Sequence, residues 1–312
     1  MRALVVTNMY PTAEEPAYGT FIHTQVEFLR ANGVEVDVCF INGRKSKLDY
    51  LWGTFRFWRT ILRSKYDVVH AHYVQSGAVA RLQWRSPVIL THHGSDVLSQ
   101  SWEATLSHLL HPLFDRVIVV SKEMWQVFKD DRTVVIPGGI NLEDMRPMPQ
   151  AEAREELGLP PDKPLILWAG QYWQPVKRFS MTKQAVALVQ EQCPEAELVV
   201  VANEPHRVMP LYMNACDAIV LTSYTEGSPT VIKEAMACNL PVVSVDVGDV
   251  AEVVEGVEGC HIVEPNAPAV AEGLLQVLSK RQRTQGRGRV AHLDSRLVSQ
   301  RVVDVYKQLC AS

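Results

Sequence analysis

The chain has no apolar run approaching the roughly 18 residues that span a bilayer, so a membrane-spanning protein is excluded and a soluble or surface-attached one expected. Its six cysteines (Cys39, Cys193, Cys216, Cys238, Cys260 and Cys310) are scattered, with no Cys-x-x-Cys pair and no zinc-type histidine spacing. Reduced, buried thiols fit that pattern better than a disulfide framework. No Gly-x-Gly-x-x-Gly follows the first strand-like segment, where the chain runs NMYPTAEEPAYGT; this weighs against a dinucleotide-dependent dehydrogenase. The local signatures of P-loop NTPases, zinc proteases and nucleophile-elbow hydrolases are also missing. An excess of either charge is lacking too: the net charge is only -4, which argues against nucleic-acid binding as the main activity. A strand pattern, Ala3–Thr7, begins almost at the first residue, so no secretory leader is read and a cytoplasmic place is expected, free or at the inner face of the cell membrane.

What is present is alternation. Strand-like segments at Ala3–Thr7, Val34–Phe40, Asp67–Ala71, Val88–Thr91, Arg116–Ser121 and Thr133–Ile136 are separated by helical patterns at Thr20–Ala31, Leu48–Lys65, Glu103–His111 and Lys122–Phe128. Continuous apolar strands in that rhythm predict a parallel sheet covered on both faces. The Pro- and Gly-rich stretch 137–150 interrupts it and reads as a linker. The alternation resumes through Leu165–Ala169, Phe179–Glu191, Glu197–Val201, Ala218–Leu221, Cys260–Val263 and Ala269–Ser279. The expected organisation is therefore an α/β chain of two domains, residues 1–145 and 146–293, with the ligand cleft where strand C-termini of both sheets face each other. A terminal helix over 294–312 carries an apolar stripe of Leu297, Val298, Val302, Val305, Tyr306 and Leu309, expected to pack back on the N-terminal domain.

The richest stretch is TEGSPTVIKEAMACNLPVVSVDVGDV, from Thr225 to Val250. It predicts a loop, a helix with Ser228 as N-cap and Pro229 first inside, a stop at Asn239 and Pro241, and a strand over Pro241–Val245. Glu226 stands before the helix and Glu234 inside it; amides at a helix start suit a phosphate, carboxylates suit sugar hydroxyls. At the edge of the apolar arc, Glu234 is otherwise a solvated helix residue. Lys177 and Arg178 precede another helix, against its dipole, a placement that a bound anion would relieve. Gly19 is either turn geometry or a close backbone approach to a ligand. His70, His72, His92 and His93 follow strands; a His-x-His pair alone is a weak metal signal, and each has an alternative as a hydrogen-bonded loop residue. Gly94 leaves the backbone open beside His93, and Asp96 reads as a helix cap. Arg44, Lys45, Lys47, Arg56, Arg59, Arg63 and Lys65 surround an aromatic helix with Tyr50, Trp52, Phe55, Phe57 and Trp58; this is either an ordinary covering helix or a basic face for anionic lipid.

Taken together, FIHTQVEFLRANG, DVVHAHY, VILTHHGSDV, VIVVSKEM, VVIPGGINLEDMRP, PVKRF and EGSPTVIKEAMACNLPVVSVDVGDVAEVV resemble the retaining glycosyltransferases of family four, along nearly the whole chain. PHRVMPLYMNACDAIVLTS is similar to members acting on bacterial surface polysaccharides, the teichuronic-acid type among them. The resemblance implies the GT-B architecture of two facing Rossmann-like domains with the active site in the interdomain cleft. It implies transfer of a sugar from a nucleotide-diphosphate sugar, with a UDP-sugar as the leading expectation, to a glycan or lipid-linked acceptor. Configuration would be retained, and no cofactor or metal would be needed. By the same resemblance Glu226 contacts the donor sugar and Glu234 the ribose. Lys177 binds the diphosphate with Arg178 beside it, His93 faces the reacting sugar, and Gly19 lies near the phosphates. Gly227, Ser228, Pro229 and Thr230 supply loop contacts. One departure is Gln171, where the family usually has an arginine after the glycine at Gly170; the interval to Lys177 is also a residue longer. Two alternatives share the architecture: a sugar-nucleotide 2-epimerase, and a catalytically weak protein that binds nucleotide sugar or glycan.

Overall fold

The computed structural model describes residues 1–43 and 48–311. The chain divides into two compact units. The first comprises Met1–Thr12, Tyr18–Gly139 and the C-terminal segment from Ser295; the second comprises Ala13–Ala17 and Ile140–Asp294. The division thus falls at Gly139–Ile140 and not after residue 145, because Ile140 and Met145 are already buried in the core of the second unit. Ala13–Ala17, part of the long first loop, also counts with the second unit.

In the first unit the elements are β1 (Arg2–Thr7), α1 (Thr20–Ala31), β2 (Glu35–Phe40), α2 (Leu48–Arg63), β3 (Val68–His72), α3 (Val74–Ala80), β4 (Val88–His92), α4 (Trp102–Leu110), β5 (Arg116–Val119), α5 (Lys122–Phe128) and β6 (Thr133–Val135). Six parallel strands run in the order β2-β1-β3-β4-β5-β6. β3 and β4 are buried at every position, as a sheet covered on both faces requires. Alternate residues serve opposite faces. Ala3 and Val5 pack with Ile22, Val26 and Leu29 of α1, whereas Leu4 and Val6 pack with Phe57 and Ile61 of α2. Gly19 opens α1 in a left-handed conformation (φ +73°), and a Cβ there would stand 2.6 Å from the Met9 carbonyl carbon, so only glycine fits.

In the second unit follow α6 (Gln150–Leu157), β7 (Leu165–Ala169), α7 (Phe179–Gln192), β8 (Glu197–Val201), α8 (Met209–Ala215), β9 (Ala218–Leu221), α9 (Thr230–Ala237), β10 (Val242–Val245), α10 (Val250–Val254), β11 (His261–Val263), α11 (Ala267–Lys280) and α12 (Gly286–Arg289). Five parallel strands run β11-β10-β9-β7-β8. One face of this sheet buries α8 and α9, the other α7 and α11. α13 (Ser295–Ala311) then closes the chain and packs its Val298, Val302, Val305 and Tyr306 in the α1 side of the first unit's core. Leu297, expected in that stripe, is exposed: it precedes Val298 by one step of 100° and so lies beyond the buried arc.

Two local expectations are corrected. Ser228 does not cap α9. Pro229 holds the N-cap position and the Ser228 hydroxyl donates to Asp249 Oδ2 at 2.7 Å, a stronger charged partner than an amide. Asp96 caps no helix either; it is buried and accepts from His92 Nδ1 at 2.6 Å and from the His93 amide at 3.1 Å. Of the basic residues around α2, Arg44, Lys45 and Lys47 lie outside the described residues.

Candidate active site

In the second unit β7 and β9 are sheet neighbours, so the loops leaving their C-terminal ends start side by side. Hydrogen bonds join those loops. The Tyr224 amide donates to the Val176 carbonyl at 2.8 Å, and the Thr222 hydroxyl reaches the carbonyls of Lys177 and Arg178 at 3.2 Å. This brings Lys177, in a single 3-10 turn after β7, against Glu226 in the loop after β9. Lys177 Nζ donates to Glu226 Oε1 at 2.7 Å, and the Ser223 hydroxyl donates to the same oxygen at 2.7 Å. The side chains are 26% and 15% exposed, enough for an incoming ligand to compete for either.

The loop is held from behind by residues that sequence reading did not single out. The Lys233 ammonium is fully buried on α9; it pairs with Asp249 Oδ2 at 2.8 Å and also donates to Ser228 Oγ. Burial pulls the lysine's pKa below its ordinary value, and the Asp249 charge opposes that shift. Gly248 (φ +59°) lies so close that a Cβ would stand 2.9 Å from the Gly227 carbonyl oxygen. Backbone therefore rests on backbone beneath Glu226 and Gly227. Glu234 is no solvated border residue. It is 7% exposed, and its Oε1 lies 2.8 Å from His206 Nε2, an ion pair whose charge raises the histidine's pKa. His206 was missed because its partner lies 28 residues away, with no local spacing to signal it.

Arg178 sits next to Lys177 but points its guanidinium elsewhere. Nη2 donates to the Pro265 carbonyl at 2.8 Å, and the group lies over the Tyr224 ring at 4.4 Å. Its backbone is left-handed at φ +47°, which turns the chain into α7. Gln171 is bonded to Gln174, three residues on in the same loop.

In the first unit the histidines after β3 and β4 form a connected, largely uncharged chain. His70 Nδ1 lies 2.6 Å from the Tyr306 hydroxyl and Nε2 2.6 Å from Thr91 Oγ1. His72 Nδ1 meets His93 Nε2 at 2.9 Å, and the rings of His70, His72 and His93 stack in series. Burial pushes His70 down to about 3 and His93 to about 4, so both are neutral at pH 7. The Phe21 ring, two residues beyond Gly19, stands 4.8 Å from His93, as does Tyr73. Tyr73 itself holds φ +67°, a conformation that strains a bulky residue and is often found at functional strand ends. His70 is thus bonded through both ring nitrogens, whereas His72 bonds His93 through Nδ1 and keeps its buried Nε2 without a hydrogen-bond partner. Among the described residues no group of three or more His, Cys, Asp or Glu could hold an ion, and no helix is long and apolar enough to cross a membrane.

Comparison with known proteins matches both units. The family described as Glycosyltransferase Family 4 matches residues 2–144, and the one described as Glycosyl transferases group 1 matches residues 163–280. A putative teichuronic acid biosynthesis glycosyltransferase, TuaC of Bacillus subtilis, is 27% identical over 88% of each chain. The D-inositol 3-phosphate glycosyltransferase of Nocardia farcinica is 27% identical over 73% of this chain and 62% of its own length. Among solved structures, sucrose-phosphate synthase of Thermosynechococcus elongatus superposes with a TM-score of 0.82 over 99% of both chains at 22% identity. Anabaena HepE in complex with UDP-glucose gives 0.77 at 17% identity, over 99% of this chain and all of that one. With the two models together reaching through both α/β units, the chain belongs to glycosyltransferase family 4 and is a glycosyltransferase of the GT-B type.

Proposed function

We propose that this glycosyltransferase moves a sugar from a nucleotide-diphosphate donor to a hydroxyl of a glycan or lipid-linked acceptor, with retention at the anomeric carbon and without a resident metal. The observation that carries the reading is the 2.7 Å pair of Lys177 and Glu226 at the joined ends of β7 and β9. A diphosphate carries the charge that competes with Glu226 for the ammonium. Once displaced, Glu226 accepts from donor sugar hydroxyls while Lys177 holds the departing phosphate. Glu234, fixed by His206, accepts from ribose hydroxyls. The loop from Gly227 through Ser228 and Pro229 to Thr230 lines the donor. Gly19, which admits no side chain, gives the backbone near the phosphates. Arg178 supports this loop through Tyr224 and Pro265 rather than contacting phosphate.

The acceptor oxygen bonds to the anomeric carbon as that carbon's bond to the β-phosphate oxygen breaks on the same face. The electron pair leaves on the diphosphate, and the acceptor proton passes to it. Catalysis then rests on positioning and on charge stabilisation of the leaving group. His93, neutral at pH 7, hydrogen-bonds the transferred sugar without adding charge; its Nε2 is engaged by His72, which leaves Nδ1 for the ligand. A UDP-sugar is the leading donor, since HepE, of similar fold, is solved with UDP and with UDP-glucose. The place of the reaction is cell-surface polysaccharide synthesis, after the similarity to TuaC.

The test is a thermal-shift screen across UDP-, GDP- and ADP-sugars, followed by NMR of the product formed with acceptor, with and without chelator. A shift with a UDP-sugar and an unchanged anomeric configuration are expected, and Glu226→Ala should abolish transfer. Conversion of the donor without acceptor would replace the reading with an epimerase, and binding without turnover with a carrier.

A further inference from the structure

The helix α2 has two apolar faces. One is spent on the core, through Gly53, Phe57 and Ile61. The other, on the opposite side, carries Leu48, Leu51, Trp52, Phe55, Trp58 and Leu62 into solvent; Trp52 is 66% exposed and Phe55 61%. Six large apolar side chains on one arc of a 16-residue helix form a contiguous patch, not scattered surface hydrophobes. Along one flank of it Arg56, Arg59 and Arg63, spaced three and four residues apart, line a shallow open hollow with Thr60. Arg56 is anchored to the Phe40 carbonyl, while Arg59 and Arg63 have no acidic partner among the described residues. The helix holds a single acid, Asp49, in its first turn. Three guanidinium groups beside an aromatic-aliphatic face stand on a chain whose net charge is negative, so the positive charge is local to this face.

We propose that α2 docks the first unit on an anionic lipid surface. Trp52, Phe55 and the leucines enter the headgroup–acyl boundary, and a lipid phosphate sits in the arginine hollow. The chemistry selects this occupant. Tryptophan and phenylalanine with arginines on one edge match the boundary between headgroup and chain, where an apolar body and a wet, anionic rim coexist. A protein groove would leave the uncompensated arginines to be matched one by one, whereas a bilayer supplies phosphate wherever the helix lies. This deepens the reading of a lipid-linked acceptor above and rests on it only for its purpose, since the docking needs no donor.

The test is co-sedimentation of the full chain with vesicles of phosphatidylcholine alone and with one third phosphatidylglycerol. Binding is expected to the anionic vesicles, weakening with salt, and little to the neutral ones. Arg59→Glu/Arg63→Glu should reduce partition on the order of twenty-fold or more, about five-fold per lost arginine and further by repulsion. Trp52→Ser/Phe55→Ser should reduce it to a similar extent. Both pairs alter exposed side chains, so unchanged melting curves keep the variants interpretable. Equal binding to neutral vesicles, no binding, or a hollow that takes inorganic phosphate without vesicle binding would overturn the proposal. So would a concentration-dependent dimer that Trp52→Ser/Phe55→Ser abolishes. A UDP-sugar thermal shift that persists without vesicle binding sinks this inference alone; vesicle binding without any donor shift sinks the proposed reaction alone.

Discussion

At the ends of β3 and β4 the first unit buries imidazoles, whereas in α9 and the loops after β7, β8, β9 and β10 the second unit pairs ions. The first set, His70, His72 and His93, is stacked and hydrogen-bonded so that burial strips it of charge. The second set comes in opposite pairs: Lys177 with Glu226, His206 with Glu234, Lys233 with Asp249. Each solution suits a different demand. A neutral ring can hydrogen-bond a sugar without attracting the phosphates, and a paired cation can exchange its carboxylate for a diphosphate at little cost in desolvation. Within the second set a further contrast appears. The two carboxylates are similarly exposed, but the Lys177 ammonium is part-exposed and can turn to a ligand, whereas that of Lys233 is fully covered and serves as a fixture.

That contrast is broken hardest at Lys233. Lys233→Met leaves Asp249 with a buried charge, and its Oδ1 is already without a hydrogen-bond partner. Denaturant unfolding should show a loss of about 3–5 kcal/mol. The double variant Lys233→Met/Asp249→Leu should recover a large part of it. Lys177→Ala, by contrast, should leave stability within about 1 kcal/mol and lower turnover instead. If the two lysines behave alike, the distinction between ligand-exchangeable and fixed pairs is wrong.

The second test titrates the two regions in opposite directions. His70 and His93 have folded pKa values depressed to about 3 and about 4, so below pH 6.5 the unfolded chain takes up protons that the folded chain refuses. Stability should fall as pH drops from 6.5 toward those values, by roughly 1.4 kcal/mol per pH unit for a fully covered imidazole such as His70. His93 keeps an edge exposed and should contribute less. His206 runs the other way: its raised pKa gives stability that is full below 6.5 and lost as pH rises through the raised value. Melting temperature against pH, in the native chain and in His206→Gln, separates the limbs. The variant should flatten the alkaline one and leave the acid one in place.

How much of this was legible beforehand differs between fold and site. The parallel sheets were readable because strands such as Val88–Thr91 and Leu165–Ala169 are continuous apolar runs, and long helices such as α1 and α7 carry full periods. Helices of five to eight residues carry only about two turns of pattern: α9 was readable from the Pro229 start and the Asn239 and Pro241 stop around it, whereas α3, α6, α8 and α10 were not, and VQSGAVA shows no period. Glu226 and Lys177 could be named from position after strands. Their contact could not, because it depends on β7 and β9 being neighbours although β8 lies between them in sequence. The same limit hid His206 and the Lys233–Asp249 fixture, and led Ser228 to be read as a cap when its hydroxyl serves Asp249.

The smallest expected effect separates two adjacent cations. Lys177 and Arg178 look equivalent in sequence, but the first reaches Glu226 while the second is drawn to Pro265 and Tyr224. An arginine stacked on a ring and bonded to a carbonyl holds the loop; swinging it to phosphate would forfeit both contacts. Arg178→Ala should therefore cost about 1 kcal/mol or less of stability and change donor KM by less than roughly threefold. Losing a true charge-assisted phosphate contact would be worth about 1.5–3 kcal/mol, or on the order of tenfold to a hundredfold. Steady-state kinetics of Arg178→Ala beside Lys177→Ala reads the difference directly. A tenfold rise in KM for Arg178→Ala would mean that the loop rearranges on donor binding, with Arg178 supplying the cation that Gln171 does not.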